Sequence, residues 1–275
     1  MSSDPKPVDA EQYTEDYFLE RVGGAEFFRL YGPDVMKPAL AYAFKEAGLR
    51  KGMTALDVGC GRGELLFHLK KEGVEAIGAD VAPAALSIAA RTAKAPVVRC
   101  DAKKLPFADG SFDRIFFLGV LDHLHDWELE KTFSEFARVL KPEGVVLADT
   151  CTNTDYYKNL TFEARRSWAR RLGLKEPMAP RSEEDENLHV NEHNGRRLRE
   201  FFEKIGWRGE ITPKPNEKYL LRELYGDHLP DRFPMKRPSA WKSLYHGCVF
   251  RGPWKKHLAR AWFCRLSPKG GNSVS

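Results

Sequence analysis

Short apolar runs alternate with amphipathic stretches through the middle of this chain. The apolar runs predict strands at 54–58, 75–80, 97–100, 114–119 and 145–150. The stretches between them follow a helical period and predict helices near 63–72, 83–93 and 126–140. Strands that alternate with helices in this way predict a parallel sheet with helices on both of its faces.

The pattern is less regular toward both ends of the chain. Amphipathic stretches at 10–22 and 33–47 predict helices before the first strand, and a polar helical stretch at 156–172 follows the fifth. A helix at 195–205, a sixth strand at 207–212 and a closing strand at 261–266 complete the pattern. The predicted divisions are a disordered tail 1–10, a helical cap 11–50, a core 51–151, an insertion 152–194, a return to the core 195–212, a second insertion 213–258, and a last strand with its tail 259–275.

Length and composition narrow the class of protein. At 275 residues the chain can bury one good-sized core, which suits a single domain with insertions. No apolar run approaches the roughly 18 residues of a membrane span, and the polar residues 1–11 do not resemble a signal peptide. The five cysteines form no C-x-x-C pair, so we expect reduced thiols and a cytoplasmic location.

Positive charge is concentrated at the C-terminal end. The net charge is +5, and ten Lys or Arg residues from Asp231 onward are accompanied by that single acid. Such a segment suits a nucleic acid, an anionic membrane surface or an anionic substrate, and equally an ordinary solvated surface.

A glycine-rich turn follows the first predicted strand. The run Leu56-Asp57-Val58-Gly59-Cys60-Gly61-Arg62-Gly63-Glu64 ends a strand, places three alternate glycines and starts a helix. The glycines let a ligand press against bare backbone. The pattern is D-x-G-x-G-x-G rather than the G-x-G-x-x-G of dinucleotide sites. The shorter spacing and the Asp before the first glycine suit an amino acid–nucleoside ligand better than a pyrophosphate.

Four further motifs follow at workable spacings. Gly78-Ala79-Asp80-Val81 ends the second strand and places a carboxylate about twenty residues beyond the glycine turn, where it can accept hydrogen bonds from two neighbouring hydroxyls. The second motif, Val98–Ala102, lies at the end of the third strand. The third is the turn Leu105–Asp113, together with the fourth strand and the loop after it as far as Leu124. The fourth, Arg138–Gly144, lies between a helix end and the fifth strand.

In this order the motifs resemble those of the class I S-adenosylmethionine-dependent methyltransferases, in the small-molecule (type-11 methyltransferase domain) branch. The resemblance implies a Rossmann-like α/β fold: a mostly parallel seven-stranded sheet with helices on both faces, an antiparallel last strand, and insertions after strands five and six. It implies S-adenosyl-L-methionine as the cofactor. The cofactor-binding residues that it implies are Asp57, Gly59, Cys60, Gly61, Gly63, Asp80, Val81, Asp101, Ala102 and Leu118.

Methyl transfer to a small-molecule acceptor is the expected activity, with a hydroxyl of a natural product, glycan or lipid-linked precursor as the acceptor group. This in-line displacement requires alignment of the reactants and removal of a proton from the acceptor. Because the cofactor carries the methyl group, no metal is expected. The candidate bases are His123, His189 and His193, because histidine titrates near neutrality.

The string His189-Val190-Asn191-Glu192-His193 also matches the H-x-x-E-H metal signature of some peptidases. That signature needs both histidines on one helix face. The flanking Asn194 and Gly195 instead indicate a loop that runs into a helix N-terminus. The HVNE stretch resembles one that glycan- and natural-product-directed relatives have before this helix, which implies an acceptor-site base or a substrate contact.

Three alternatives stay open. The basic C-terminal segment would suit a nucleic-acid methyltransferase, although Leu118-Gly119-Val120-Leu121 stands where the amino-group enzymes have an Asn/Asp-Pro-Pro-aromatic motif. C-methyl or cyclopropane-type transfer to a lipid would give that segment a membrane surface to face. The third alternative is a protein that binds the cofactor without catalysing a reaction. The sequence gives no reason to infer an obligate protein partner.

Overall fold

The computed structural model describes residues 4–177, 188–214 and 255–270, together with positions 217, 224, 239, 241 and 244. Most of the predicted second insertion, 213–258, therefore lies outside the described residues. The same holds for most of the basic segment that begins at position 231.

The described strands form one seven-stranded sheet in the order β3-β2-β1-β4-β5-β7-β6. The strands are β1 Thr54–Val58, β2 Glu75–Asp80, β3 Val97–Arg99, β4 Phe112–Leu118, β5 Leu140–Asp149, β6 Trp207–Lys214 and β7 Ala261–Pro268. Strands β1 to β5 pair in parallel, and β7 is antiparallel to both β5 and β6. The predicted fold class, a mostly parallel α/β sheet with an antiparallel last strand, is confirmed.

Nine α-helices accompany the sheet in the described part of the chain. They are α1 Ala25–Tyr31, α2 Pro38–Glu46, α3 Glu64–Lys71, α4 Pro83–Ala93, α5 Asp126–Val139, α6 Tyr157–Leu160, α7 Phe162–Arg171, α8 Gly195–Lys204 and α9 Lys255–Leu258. Both α2 and α4 begin with proline, whose fixed φ suits a first helical turn. None of the described helices has an apolar stretch long enough to cross a bilayer.

Two layers of apolar side chains bury the sheet. On one face Phe117, Phe133 and Phe136 pack edge to face with ring centroids 5.2–6.1 Å apart. The other face is covered by α3, where Leu66 and Leu69 are fully buried. Burial of such side chains stabilises the fold by about 1.5–3 kcal/mol each. The rigid sheet that results holds the loops at its carboxyl edge in fixed positions.

Element boundaries differ from the prediction in several places. The stretch 10–22 forms only short 3-10 and π turns at Ala10–Gln12 and Tyr17–Arg21, and α1 lies between the two predicted N-terminal helices. Strand β5 begins at Leu140, directly after α5, because Leu140 already pairs with Phe112 before the register shift at Arg114. The predicted helix 156–172 is divided at Thr161, where ψ is 5° and the hydroxyl donates to the Tyr157 carbonyl at 2.7 Å. Such back-bonding by a Thr hydroxyl competes with regular helix geometry.

Candidate functional site

Two of the three glycines in the turn between β1 and α3 have no room for a side chain. Gly59 and Gly63 have φ values of 76° and 78°, a region that favours glycine. A Cβ at Gly59 would lie 2.3 Å from the Val120 side chain, and one at Gly63 would lie 2.8 Å from the Ala89 Cα atom. The glycines therefore allow the loop after β4 to approach the turn closely.

Asp80 at the end of β2 faces this turn. One carboxylate oxygen accepts from the Gly61 backbone N–H at 3.1 Å, and the other accepts from the Ala82 N–H at 2.9 Å. The side chain is buried, and burial raises its pKa above the usual range. These two bonds hold the carboxylate in one orientation at the edge where a ribose would lie.

Three acidic side chains lie beneath the turn. Asp57, Glu64 and Asp80 are all buried. Burial, followed by the charges of Asp80 and Glu64, raises the pKa of Asp57 to about 8 and favours its neutral form near neutral pH. A ligand with positive groups would favour the ionised form of Asp57 instead. The ammonium and sulfonium groups of S-adenosylmethionine therefore fit the donor set that the structure places here.

The remaining predicted cofactor residues lie along the same edge. Val81 follows β2 and is 38% exposed, and Leu118 ends β4. Asp101 and Ala102 follow β3, and Asp101 also forms an ion pair with Lys103 at 3.0 Å. Because carboxyl ends of parallel strands meet at one edge, the structure brings these residues together. Their individual contacts with the cofactor stay predictions.

Arg62 of the glycine turn forms hydrogen bonds with the N-terminal helical segment that precedes β1. Its guanidinium is buried, pairs with Glu64 at 2.9 Å and donates to the Phe18 carbonyl at 2.8 Å and the Gly23 carbonyl at 3.3 Å. Sequence reasoning missed this residue, because its partners lie about forty positions away.

On the acceptor side, four residues from distant parts of the chain form what we call the rim cluster: Tyr13, His123, Cys151 and His189. The Tyr13 hydroxyl lies 2.9 Å from Nδ1 of His123. The ring centroids of His123 and His189 are 4.7 Å apart, and the ligand atoms of these histidines and Cys151 lie within 4.8 Å of one another. Burial, followed by the charges of Tyr17 and Asp80, raises the pKa of Tyr13.

Asp122 connects the backbone segments that carry this cluster. Its carboxylate accepts from the backbone N–H groups of Cys151 at 2.6 Å and Thr152 at 3.0 Å. Its carbonyl accepts from the Asn191 N–H at 3.1 Å. The side chain is fully buried, and burial raises its pKa to about 7. The loop after β4, the end of β5 and the first insertion thus meet at one buried residue.

His193 lies apart from the other predicted bases, which corrects its assignment. The residue has no exposed surface, and no described residue hydrogen-bonds to either ring nitrogen. Burial, followed by the charge of Arg197, lowers its pKa to about 4. A ring that no acceptor can reach, and that binds a proton so weakly, is a poor general base.

The segment 189–194 is a loop, and α8 starts only at Gly195 after the cap residue Asn194. This agrees with the loop interpretation of the HVNEH string. The two histidines therefore do not share a helix face as the H-x-x-E-H signature requires.

Sequence reasoning also missed a buried ion pair at the end of β5. Asp149 at the end of β5 accepts from the Gly119 N–H at 2.7 Å and pairs with Lys214 of β6 at 2.5 Å. Asp149 and Cys151 lie at the carboxyl end of a strand, where ligands bind in such sheets, so their positions could have indicated them as site residues. No sequence signal pointed to Tyr13 or Lys214 as site residues, because their partners His123 and Asp149 lie far away along the chain.

Comparisons with known proteins agree with this geometry. Residues 56–148 match the family model described as "Methyltransferase domain". The sterol 24-C-methyltransferase ERG6B of Gibberella zeae is 33% identical over 133 residues, which cover 46% of this chain and 34% of that protein. The demethylmenaquinone methyltransferase of Thermus thermophilus is 40% identical over 96 residues, which cover 32% of this chain and 43% of that protein.

A solved structure extends the similarity in fold. The Haemonchus contortus phosphoethanolamine N-methyltransferase 2, in complex with phosphomonomethylethanolamine and S-adenosylhomocysteine, superposes with a TM-score of 0.58. The match has 20% identity and covers 96% of this chain and 61% of that one. At this identity it shows the fold alone.

The matched segment coincides with the cofactor edge, since it starts within β1 and ends within β5. The chain spans less than half the length of the two sequence relatives. Residues 56–148, about a third of the chain, are therefore similar to a methyltransferase domain, and beyond this segment the comparisons show the fold alone.

Proposed function

We propose that this protein transfers a methyl group from S-adenosylmethionine to a hydroxyl of a small-molecule acceptor. The observation that carries the proposal is the position of the rim cluster. His123 follows β4 directly, and the same loop presses Val120 against Gly59 of the cofactor turn. A proton-accepting ring thus lies next to the place where the cofactor is bound.

The cofactor supplies a methyl group on a sulfonium, which is a strong electrophile. Asp80 and the glycine turn would bind its nucleoside part, and the carboxylates beneath the turn would attract its positive groups. His123 would take the acceptor proton, since a hydroxyl becomes an effective nucleophile as that proton leaves. The Tyr13 hydroxyl would hold the imidazole in one orientation through the bond to Nδ1.

The cap and the ion pair would support the reaction indirectly. Arg62 holds residues 18–23 over the glycine turn, which would exclude water from the sulfonium. Asp149 and Lys214 fix the Gly119 backbone, from which the loop that carries His123 begins. A cytoplasmic location stays a prediction of the sequence.

The test combines cofactor binding with turnover. Calorimetry with S-adenosylmethionine and S-adenosylhomocysteine should give binding, and methyl-labelled cofactor should label sugar, phenolic or lipid-linked hydroxyls. His123→Gln should leave cofactor affinity unchanged and lower turnover by about 10²–10⁴-fold. The matched control is His68→Gln, because His68 hydrogen-bonds to Pro33 away from the site. Absence of cofactor binding, or a label found on nitrogen or carbon, would contradict the proposal.

A second candidate is methyl transfer to a lipid at a membrane surface, including C-methyl transfer. The specific observation is an exposed apolar stripe on α6, α7 and the turn after them. Leu160, Trp168, Leu172 and Leu174 are 61–65% exposed, and Trp168 and Leu172 are four positions apart at the end of α7. Helix α7 carries four arginines and one glutamate. Exposed Trp and Leu beside arginines are typical of a helix that lies in the interface of an anionic bilayer.

The names of the relatives specify a sterol and demethylmenaquinone, and both are apolar molecules. The double variant Trp168→Glu/Leu172→Glu should lose cosedimentation with vesicles of phosphatidylcholine and phosphatidylglycerol. Leu30→Glu is the control, since Leu30 is a separately exposed leucine on α1. Equal sedimentation of both variants would reject the membrane role.

A further inference from the structure

Three metal-ligand side chains converge on the rim, although they are 28 and 38 positions apart along the chain. His123 comes from the turn after β4, Cys151 follows β5, and His189 belongs to the first insertion. One ligand atom from each lies within 4.8 Å of the other two. The H-x-x-E-H pattern did not indicate this grouping, because it pairs His189 with His193.

The backbone that carries the three side chains is held in place before any ion binds. The Asp122 carboxylate accepts from the Cys151 N–H, and the Asp122 carbonyl accepts from the N–H of Asn191, two residues after His189. His123 is the residue next to Asp122. A single buried aspartate therefore sets the relative position of all three ligand segments.

The surroundings favour a cation. The Asp122 carboxylate accepts from the Cys151 backbone N–H at 2.6 Å, so an acidic group lies directly beside the ligand segments. The Tyr13 hydroxyl bonds to a ring nitrogen of His123. Ligating histidines regularly have such an outer partner, which orients the ring.

We infer that His123, Cys151 and His189 form a binding site for Zn²⁺, with a fourth coordination position open to the acceptor side. Two imidazoles and one thiolate match the borderline-soft ligand preference of zinc. Three protein ligands with one open position are typical of zinc sites that exchange a ligand. On binding, Cys151 releases its thiol proton to solvent and donates the sulfur electron pair to the metal.

The metal and the acceptor proton compete for His123. A neutral imidazole has one basic lone pair, so a ring that ligates zinc cannot accept the proton of an acceptor hydroxyl. Zinc at this site therefore inhibits the transfer. The binding site stands independently of the proposed function, whereas this inhibition rests on it.

The experiment titrates untagged, metal-free protein with Zn²⁺ and, separately, with Co²⁺ as a spectroscopic probe. We expect one equivalent of tightly bound zinc after dialysis, and a cobalt–thiolate charge-transfer band. Cys151→Ser should abolish the band. His123→Ala and His189→Ala should each weaken zinc binding by more than about 100-fold, and Tyr13→Phe by about 10–100-fold, as for an outer-shell partner.

Matched controls separate this site from other thiols and imidazoles. Cys100→Ser and His68→Gln should keep both the band and the affinity, and calorimetry with S-adenosylhomocysteine should verify that every variant is folded. The inference is overturned by the absence of stoichiometric zinc in protein that binds the cofactor, or by zinc binding that survives Cys151→Ser and His189→Ala. If the protein transfers methyl groups and zinc does not inhibit the transfer, the proposed competition for His123 is wrong. If zinc binds but no transfer occurs at all, only the proposed function is contradicted.

Discussion

The Tyr13 hydroxyl lies 2.9 Å from Nδ1 of His123, 110 positions further along the chain. This bond joins the N-terminal cap to the loop after β4. It selects one orientation of the imidazole, next to the cofactor turn. The cap therefore contributes a residue to the proposed reactive site.

Removal of the Tyr13 hydroxyl should slow turnover without unfolding the protein. Tyr13→Phe loses about 1 kcal/mol of orienting hydrogen bond, which corresponds to a decrease in kcat of about 5-fold. The pH dependence of kcat should shift as well, because the bond alters the basicity of the ring. Tyr157→Phe, which removes an exposed hydroxyl on α6, is the matched control. Equal pH profiles for both variants would show that Tyr13 only packs against the ring.

Asp80→Asn should weaken binding of S-adenosylmethionine by more than 1 kcal/mol, or about 5-fold or more, because a charged acceptor of ribose hydroxyls becomes neutral. Calorimetry is the measurement. Asp34→Asn is the control, since Asp34 forms an exposed ion pair with Lys71. Unchanged affinity in Asp80→Asn would remove the ribose assignment.

Asp57 should make the ligand-free protein less stable as pH rises. Its pKa is about 8 in the folded state and near 3.8 when unfolded, so between these values the folded state binds more protons. Stability then falls with increasing pH, and Asp122, with a pKa of about 7, adds to the same slope. Asp57→Asn should flatten part of the slope and raise Tm at pH 8 by a few degrees. Thermal melting from pH 5 to 8.5 tests this, and parallel curves for variant and wild type would contradict it.

His193 should produce the opposite dependence at lower pH. Its folded pKa of about 4 lies below the unfolded value of 6.5, so the unfolded state binds more protons between these values. Stability should therefore fall as pH decreases through this range, by on the order of 3 kcal/mol at most. His193→Leu should lose this dependence in denaturant titrations at pH 4.5 and 7 and should keep its turnover. Loss of turnover in a folded variant would restore His193 as a candidate base.

Removal of one charge from the Asp149–Lys214 ion pair should strongly destabilise the folded protein. Both side chains are almost entirely buried, so Asp149→Asn leaves a buried ammonium without its counter-charge, at a cost of about 3–5 kcal/mol. Adding Lys214→Met should recover most of that loss, because the unpaired charge is removed. Chemical denaturation of both variants is the measurement. A double variant that is no more stable than the single one would show that Asp149 acts mainly through Gly119.

The sequence by itself determined the sheet and the cofactor edge. Apolar runs that end in glycine or aspartate are local signals, and parallel strands connected through helices bring their carboxyl ends to one edge by topology. For that reason the glycine turn, Asp80 and the strand limits could be predicted, mostly to within a few residues. The exceptions, such as the start of β5 at Leu140, arise from pairing with a distant strand.

Only the tertiary structure decided which polar side chains meet. The sequence placed His189 and His193 together, whereas the fold turns His193 into the core and His189 toward His123 and Cys151. The fold also brings Tyr13 into contact with His123, and Lys214 into contact with Asp149. These contacts depend on how the cap, the first insertion and the antiparallel strands pack on the rim. Such packing is set by the shape and burial of surfaces far apart in the chain, which have no local periodicity.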